Sequence, residues 1–324
     1  MNLALSAVGI GIQSAKGTAA AEPAFYHGVD GGNIVTFGVS QVEDELTSGL
    51  VAGTGEYRES VAVAADYGTR AWMKSVGAYL YAALGAVSVT GTTTYTHVIT
   101  ADSSLPYVTV FGKKDADFKV ASDCKIDQLV LEWDGNGPLK LTPTFAGCAL
   151  AYDTAYTPTL DETLLAYYTA LGGTFTLDLN GSAEDCGATI LGGKVTIARN
   201  LTSDMVSGTL APSDVTAGKL QVDVELKGRV PDLTATRLLL TGTTTGTEAS
   251  GAVLYGGFSF GFAGASPNTL AIAGTRVAWQ TEDPGADPKG GPGELTLKGR
   301  CYMTAGGTPV TATVVNQHAT YVVS

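Results

Sequence analysis

Val39-Ser40-Gln41-Val42, followed by Leu46-Thr47-Ser48 and Val51, returns as Val195-Thr196-Ile197-Ala198, followed by Leu201-Thr202-Ser203 and Val206. The offset is about 155 residues, a domain-sized period rather than a solenoid-sized one. The segments after each block keep the same order. An alternating strand comes first, Ser60-Val61-Ala62-Val63-Ala64 in one copy and Leu220-Gln221-Val222-Asp223-Val224-Glu225-Leu226 in the other. A short helical stretch comes next, Thr69 to Trp72 against Thr234 to Leu238. Each half then ends on a Gly-Pro strand that reaches a cysteine, Gly137-Pro138 to Cys148 and Gly291-Pro292 to Cys301. Two copies of one small β-domain suit a part that supplies quasi-equivalent positions around an axis better than an enzyme with one active site.

The 324 residues divide into an arm (1–30), a first β domain (31–156) and a second (157–324), each domain long enough to bury its own core. Glycine is plentiful and charge is sparse, with threonine, valine and alanine dominant, which reads as many short strands with tight turns. In the arm, Gly9-Ile10-Gly11 and Gly17 to Ala21 show little periodicity. Such a segment frays or docks on a neighbour, and its Gly-x-Gly lacks the strand-to-helix setting of a nucleotide loop.

In the first body, Ile34 to Val42 predicts a strand, and Glu43-Asp44-Glu45 to Tyr57 a long acidic loop, either solvated or working at a contact. A helix capped by Asp66 or Thr69 and ended by Gly85 carries Trp72, Val76, Tyr79, Leu80 and Ala83 on one apolar face. Strands come next at Thr93 to Thr100 and Leu105 to Phe111, then a hairpin of 126–133 with 139–145 across Asp134-Gly135-Asn136-Gly137. The second body predicts strands at 174–179, 194–198, 220–227, 257–262, 269–280, 294–303 and 310–315, with a short helix at 232–240. In the strand Leu220 to Lys227, Leu220, Val222, Val224 and Leu226 form a dry face and Gln221, Asp223, Glu225 and Lys227 a wet one.

The net charge is −12 with no run of Lys or Arg, which argues against a phosphate-binding stripe and sequence-specific nucleic-acid recognition. No segment reads as membrane-spanning; the most apolar stretch, Ala71 to Ala86, is interrupted by Lys74, Ser75 and Gly77. The first residues lack a basic signal region, so the chain is expected to be made and kept in the cytoplasm until assembled. Cys124, Cys148, Cys186 and Cys301 form no CxxC pair; they read as buried reduced thiols or, alternatively, include a Cys124–Cys148 disulfide. His27, His97 and His318 come with no readable nucleophile or orienting carboxylate, and the acidic pairs lie in loops rather than across a cleft. No catalytic, cofactor or metal site is expected.

The ordered set Tyr67-Gly68-Thr69-Arg70-Ala71-Trp72-Met73-Lys74-Ser75-Val76-Gly77, Ala82-Ala83-Leu84-Gly85, Tyr95-Thr96-His97, Leu105-Pro106-Tyr107-Val108-Thr109-Val110 and Gly137-Pro138-Leu139-Lys140-Leu141 resembles the major tail tube proteins of long-tailed phages. The resemblance covers most of the first half, and reaches the second through the duplication. It implies a mainly β chain of two tandem β-sandwich or half-barrel domains, each with a short flanking helix, plus the extended N-terminal arm. It further implies a virion part that stacks as rings, of six chains or of three two-domain chains, into a tube for genome delivery. Its partners would be itself, tail terminator and tail tip proteins, and the tape measure protein and DNA inside an acidic lumen. On that reading Glu43, Asp44, Glu45, Leu50, Glu56 and Tyr57 are candidate inter-ring contacts, and Asp223 and Glu225 candidate lumen residues. The short second helix departs from the pattern. A capsid decoration protein or surface β-sandwich adhesin is the alternative.

Overall fold

The computed structural model describes residues 6–21, 23–43, 55–114, 117–152, 166–179, 183–185, 190–230, 234–281 and 293–322. The first half runs β1 (Ala7–Ile12), β2 (Phe25–Gly28), β3 (Gly31–Glu43), β4 (Glu56–Arg70), α1 (Val76–Leu84), β5 (Gly85–Gly91), β6 (Tyr95–Ala101), β7 (Val108–Lys114), β8 (Asp117–Asp134), β9 (Lys140–Gly147) and β10 (Ala149–Tyr152). The second runs β11 (Thr169–Asp178), β12 (Ala183–Asp185), β13 (Ile190–Ala198), β14 (Thr202–Asp204), β15 (Asp214–Thr216), β16 (Gln221–Val230), α2 (Thr234–Thr241), β17 (Tyr255–Ala263), β18 (Thr269–Thr281), β19 (Gly293–Cys301) and β20 (Thr311–Asn316). All but β14 and β15 join one antiparallel network of 18 strands.

The two copies are visible in the pairing. In the first half the hairpin β3–β4 meets the hairpin β8–β9 through β4 and β9, giving the order β3-β4-β9-β8. In the second, β13 with β16 and β18 with β19 meet through β16 and β19, giving β13-β16-β19-β18. These two units lie edge to edge, because β8 pairs with β13 from Gln128↔Ala198 to Asp134↔Gly192. The result is one continuous sheet of eight strands. A second junction joins β20 to β6 on the other layer.

The dry face of this sheet is covered by α1, by β5, β6 and β20, and by β1, β2 and β7. One hydrophobic core runs through both halves. Trp133 of β8 stacks on Phe175 of β11 (5.6 Å) and meets Phe260 and Phe262 of β17 edge-on at 5.5 and 5.2 Å, so the aromatic heart of the second half includes a first-half residue. In return, buried Arg199 just beyond β13 donates to the carbonyls of Leu84 (3.3 Å) and Asp102 (2.5 Å). A cation from the second half thus satisfies the C-terminal end of the first-half helix.

Several local expectations change or are decided between alternatives. The helix begins at Val76, not near Asp66 or Thr69, because period-2 alternation continues through Val63, Ala65, Tyr67 and Thr69, all pointing into the core. Its stop is as expected: Gly85 adopts φ 108°, a left-handed conformation open to glycine, and its N–H bonds to the Tyr81 carbonyl. The helix is buried nearly all round rather than on one face. The N-terminal segment docks on its own chain, with fully buried β1 between β2 and β7. Gly9 is glycine because a Cβ there would lie 2.5 Å from Cβ of Pro23. Finally, Cys124, Cys148 and Cys301 are free and buried, so the Cys124–Cys148 disulfide is not formed, and Cys186 lies outside the described residues.

Two polar networks tie the second layer together. His27 Nδ1 lies 3.1 Å from the Gly28 carbonyl and Nε2 lies 3.0 Å from Tyr79 Oη, which in turn lies 3.0 Å from Tyr67 Oη. Thr69 Oγ1 donates to the Gly28 carbonyl and accepts from Trp72 Nε1. A neutral imidazole with its proton on Nδ1 satisfies this chain. In the second network, His97 and Asn316 hold the C-terminal segment, and Asn316 Nδ2 donates to Tyr321 Oη at 2.8 Å. Tyr321 lies against the His97 ring, 4.4 Å between centroids, and its hydroxyl occupies the space beside Gly77.

Burial lowers the His27 pKa from 6.5 to about 4. The folded state therefore binds fewer protons than the unfolded state between those values. The stability this site contributes is complete above about pH 6.5 and is lost as pH falls toward 4, by up to about 3 kcal/mol. Urea unfolding at pH 7 and pH 4.5 should show the loss, and His27→Gln should remove much of it; equal slopes in both proteins would refute the assignment. Gly77→Ala places a Cβ 2.0 Å from Tyr321 Oη. It should expel the C-terminal segment, lowering stability by about 1–3 kcal/mol, with faster hydrogen exchange at residues 316–322.

Candidate assembly surfaces

The wet face of the eight-stranded sheet is defined by register. Directly opposed residues point the same way in an antiparallel pair, so one row can be followed across seven strands. It runs Arg70 (β4), Lys140 (β9), Glu132 (β8), Lys194 (β13), Glu225 (β16), Lys298 (β19) and Gln280 (β18). From Lys140 to Lys298 the signs alternate strictly, straight over the junction between the halves. The next row contains Thr142, Val130, Thr196, Asp223, Arg300 and Ala278. In it Arg300 Nε bonds Asp223 Oδ1 at 2.8 Å, and this carboxylate raises the Arg300 pKa. Lys194, Asp223, Glu225, Gln280, Lys298 and Arg300 line a depression of about 440 Å³, so this part of the wet face is concave.

Asp223 and Glu225 therefore lie on the wet face, as their alternation with Val222 and Val224 requires. Their partners Glu132, Lys140, Lys194, Lys298 and Arg300 were not legible, because the sequence of one strand does not state the register of the next. From the Asp66 row onward the register-paired positions of this face carry six carboxylates (Asp66, Glu132, Asp134, Asp223, Glu225, Glu294) and seven cations (Arg70, Lys140, Lys194, Lys227, Arg229, Lys298, Arg300). Of the chain's 31 acidic and 19 basic residues, 25 and 12 are left to the rest. The wet face is balanced, and the acidity lies elsewhere.

The sheet has open ends. Among the described residues β3 pairs only with β4, and it exposes Phe37 (46 %) and Val39 (39 %) beside Tyr57 (58 %) on β4. Such a long apolar edge is a template for another strand. The β3–β4 hairpin also outruns its neighbour, since β9 joins β4 only from Val63. Glu43 pairs with Glu56, and Val42 with Tyr57, so these residues form the outer rungs of a hairpin rather than a loop. Asp44, Glu45 and Leu50 lie outside the described residues.

The corresponding connection in the second copy, between β13 and β16, folds onto the first half. Asp214 at the start of β15 accepts from Tyr107 Oη at 3.0 Å and pairs with Lys16 (3.1 Å) and Lys125 (3.6 Å). Lys125 Nζ donates to the Val215 carbonyl at 2.5 Å and lies over the Tyr107 ring. The Leu210 carbonyl accepts from Val61 N at 2.7 Å. Bonds from Val215 N, Lys16 and Tyr107, and the charge of Lys125, outweigh burial and hold the Asp214 carboxyl below its usual range.

No group of three or more His, Cys, Asp and Glu is placed to hold a metal among the described residues, and no described helix is long and apolar enough to cross a membrane. A repeated antiparallel sheet with one covered face, one charged concave face and an open apolar edge defines a structural β-protein. Residues 4–314 match the family model of the phage tail tube protein, nearly the whole chain, and the chain belongs to that family. It is a structural component of a phage tail. No curated protein matches the sequence.

Asp214→Asn should loosen the β13–β16 connection without unfolding the sheet. Limited proteolysis should then cut within 202–216 several times faster than in the parent protein; an unchanged rate would show that Asp214 does not anchor the connection.

Proposed function

We propose that the protein self-assembles into stacked rings of three chains that form the tail tube, through which the genome is delivered. The junction of β8 with β13 carries this reading. Inside one chain it already joins a β3-β4-β9-β8 unit to its repeat, β13-β16-β19-β18. The repeat counterpart of β13 is β3, the open edge, and the counterpart of β8 is β18. β17 stops opposite Ala278, leaving Trp279 to Thr281 with no partner strand on that side among the described residues. A second chain placing its β3 beside this open stretch of β18 makes a junction of the same kind as the internal one, shorter by the part that β17 covers.

The strand count favours three chains over six. Eight strands from each of three chains, about 4.8 Å apart, give a wall at least roughly 37 Å across before strand tilt widens it. Six chains would double that. On this reading residues 31–156 and 157–324 are two tube-like domains related by near a sixth of a turn. The wet face, with Asp223 and Glu225, lines the bore, and tape measure protein and DNA occupy it without sequence-specific contact. The protruding β3–β4 hairpin, with Glu43, Asp44, Glu45, Leu50, Glu56 and Tyr57, meets the next ring. Terminator and tip proteins close the ends, and the chains are made in the host cytoplasm.

Electron microscopy of the concentrated protein should show hollow tubes with an axial repeat and threefold or pseudo-sixfold end views. A chain that stays monomeric under every condition would sink the proposal. Removing residues 46–52 should leave the fold intact and stop stacking; normal tubes from that variant would reassign the hairpin.

A further inference from the structure

We infer that the carboxylates Glu132 and Glu225 keep the wet face from holding a DNA duplex, by neutralising the lysines on either side of them. The inference rests on the tube reading, and names how that surface treats its cargo. The geometry carries it. Glu132 stands directly opposite Lys140 on one side and Lys194 on the other. Glu225 stands directly opposite Lys194 and Lys298. Arg300, one row away, is held by Asp223 at 2.8 Å. The face thus bears seven cations, enough for a strong phosphate track, yet five of them (Lys140, Lys194, Lys298, Arg300 and, opposite Glu294, Arg229) have a carboxylate as cross-strand neighbour.

The net charge of the chain does not explain this arrangement. An acidic surface would repel a polyanion at long range, within the screening length of the solution. The wet face is not acidic, so whatever keeps DNA from gripping it has to act locally. A cross-strand neighbour sits about 5 Å away at Cβ, within reach of the lysine ammonium whether or not DNA is present, and a cation already facing a carboxylate releases fewer counterions on meeting DNA. From Lys140 to Lys298 alternation also means that no two lysines stand side by side, and the one adjacent cation pair of the row is Arg70 with Lys140 at its end. The arrangement passes a duplex of any sequence, since it leaves only Arg70 and Lys227 without an opposed carboxylate and offers no code for base edges.

The test uses dilute, unassembled chains, in which the wet face is open, and a labelled duplex of about two helical turns at low salt, read by fluorescence anisotropy. The parent protein should show no binding. Glu132→Gln with Glu225→Gln should bind at least about tenfold tighter, with a salt slope larger by up to about 2, and adding Lys194→Gln should reverse most of the gain. Glu43→Gln with Glu56→Gln removes the same two charges from the exposed hairpin, and should leave binding at the parent level. Binding by the parent protein, no gain in the first variant, or an equal gain in the hairpin variant would overturn the inference. Should the double variant fail to fold, Asp223→Asn, which frees Arg300 alone, carries the same expectation at smaller size. Electron microscopy of the same parent protein keeps the two ideas apart: absence of tubes defeats the tube reading, while the anisotropy result judges the carboxylates.

Discussion

The pairing of β8 with β13 is the constraint on which the rest depends. Gln128 to Asp134 and Gly192 to Ala198 make it a full ladder rather than a contact between finished domains. Because one residue of slip would turn every side chain to the other face, the ladder fixes which residues of both halves are dry and which are wet. Leu129, Leu131 and Trp133 on one strand and Val195 and Ile197 on the other go to the core together. Trp133 then enters the phenylalanine cluster of the second half, and Arg199 reaches the end of α1. Each half supplies a group that the other half buries, so separating them would strand an aromatic ring in one and remove from the other the guanidinium that bonds the carbonyls of Leu84 and Asp102.

Much of this was written in the local sequence, and the rest could not be. Alternation in Gln221 to Lys227 announced a two-faced strand, and Asp134-Gly135-Asn136-Gly137 announced the β8–β9 turn, with Gly135 at φ 52°. The repeated block at Val39 and Val195 lies on β3 and β13, which hold the same place in the pairing orders of the two halves. The phage tail tube resemblance is matched by the family assignment. What failed were readings that needed tertiary context. Trp72, Val76 and Tyr79 have helical spacing, but residues 66–70 extend β4 because Tyr67 and Thr69 are wanted in the His27 network. The N-terminal segment, with little periodicity, read as an arm that frays or docks; it docks on its own chain as β1, where Gly9 permits the close approach of Pro23.

The charged row shows the limit most clearly. Glu132, Lys140, Lys194, Glu225 and Lys298 are separated by as many as 166 positions along the chain and become neighbours only through four registers. Each strand announces only that its charged side chain is wet. The sign relation between strands is a property of pairing, and composition conceals it further, because a chain with net charge −12 suggests an acidic face where the structure has a balanced one.

Where the acidity does lie bears on assembly. A sheet whose edge exposes Phe37 and Val39 invites pairing with any strand it meets. An excess of carboxylates outside the wet face gives separate chains a like charge, which opposes random collision at long range and falls away with salt. The edge itself bears little charge along Gly38 to Val42, so short-range pairing remains open to a strand that arrives in register. Long-range repulsion with a short apolar edge thus favours an ordered junction like that of β8 and β13 over indiscriminate aggregation. The balanced wet face adds nothing to the repulsion between facing sheets when such junctions curve toward closure, whereas a wall carrying the chain's average charge would resist being bent in on itself.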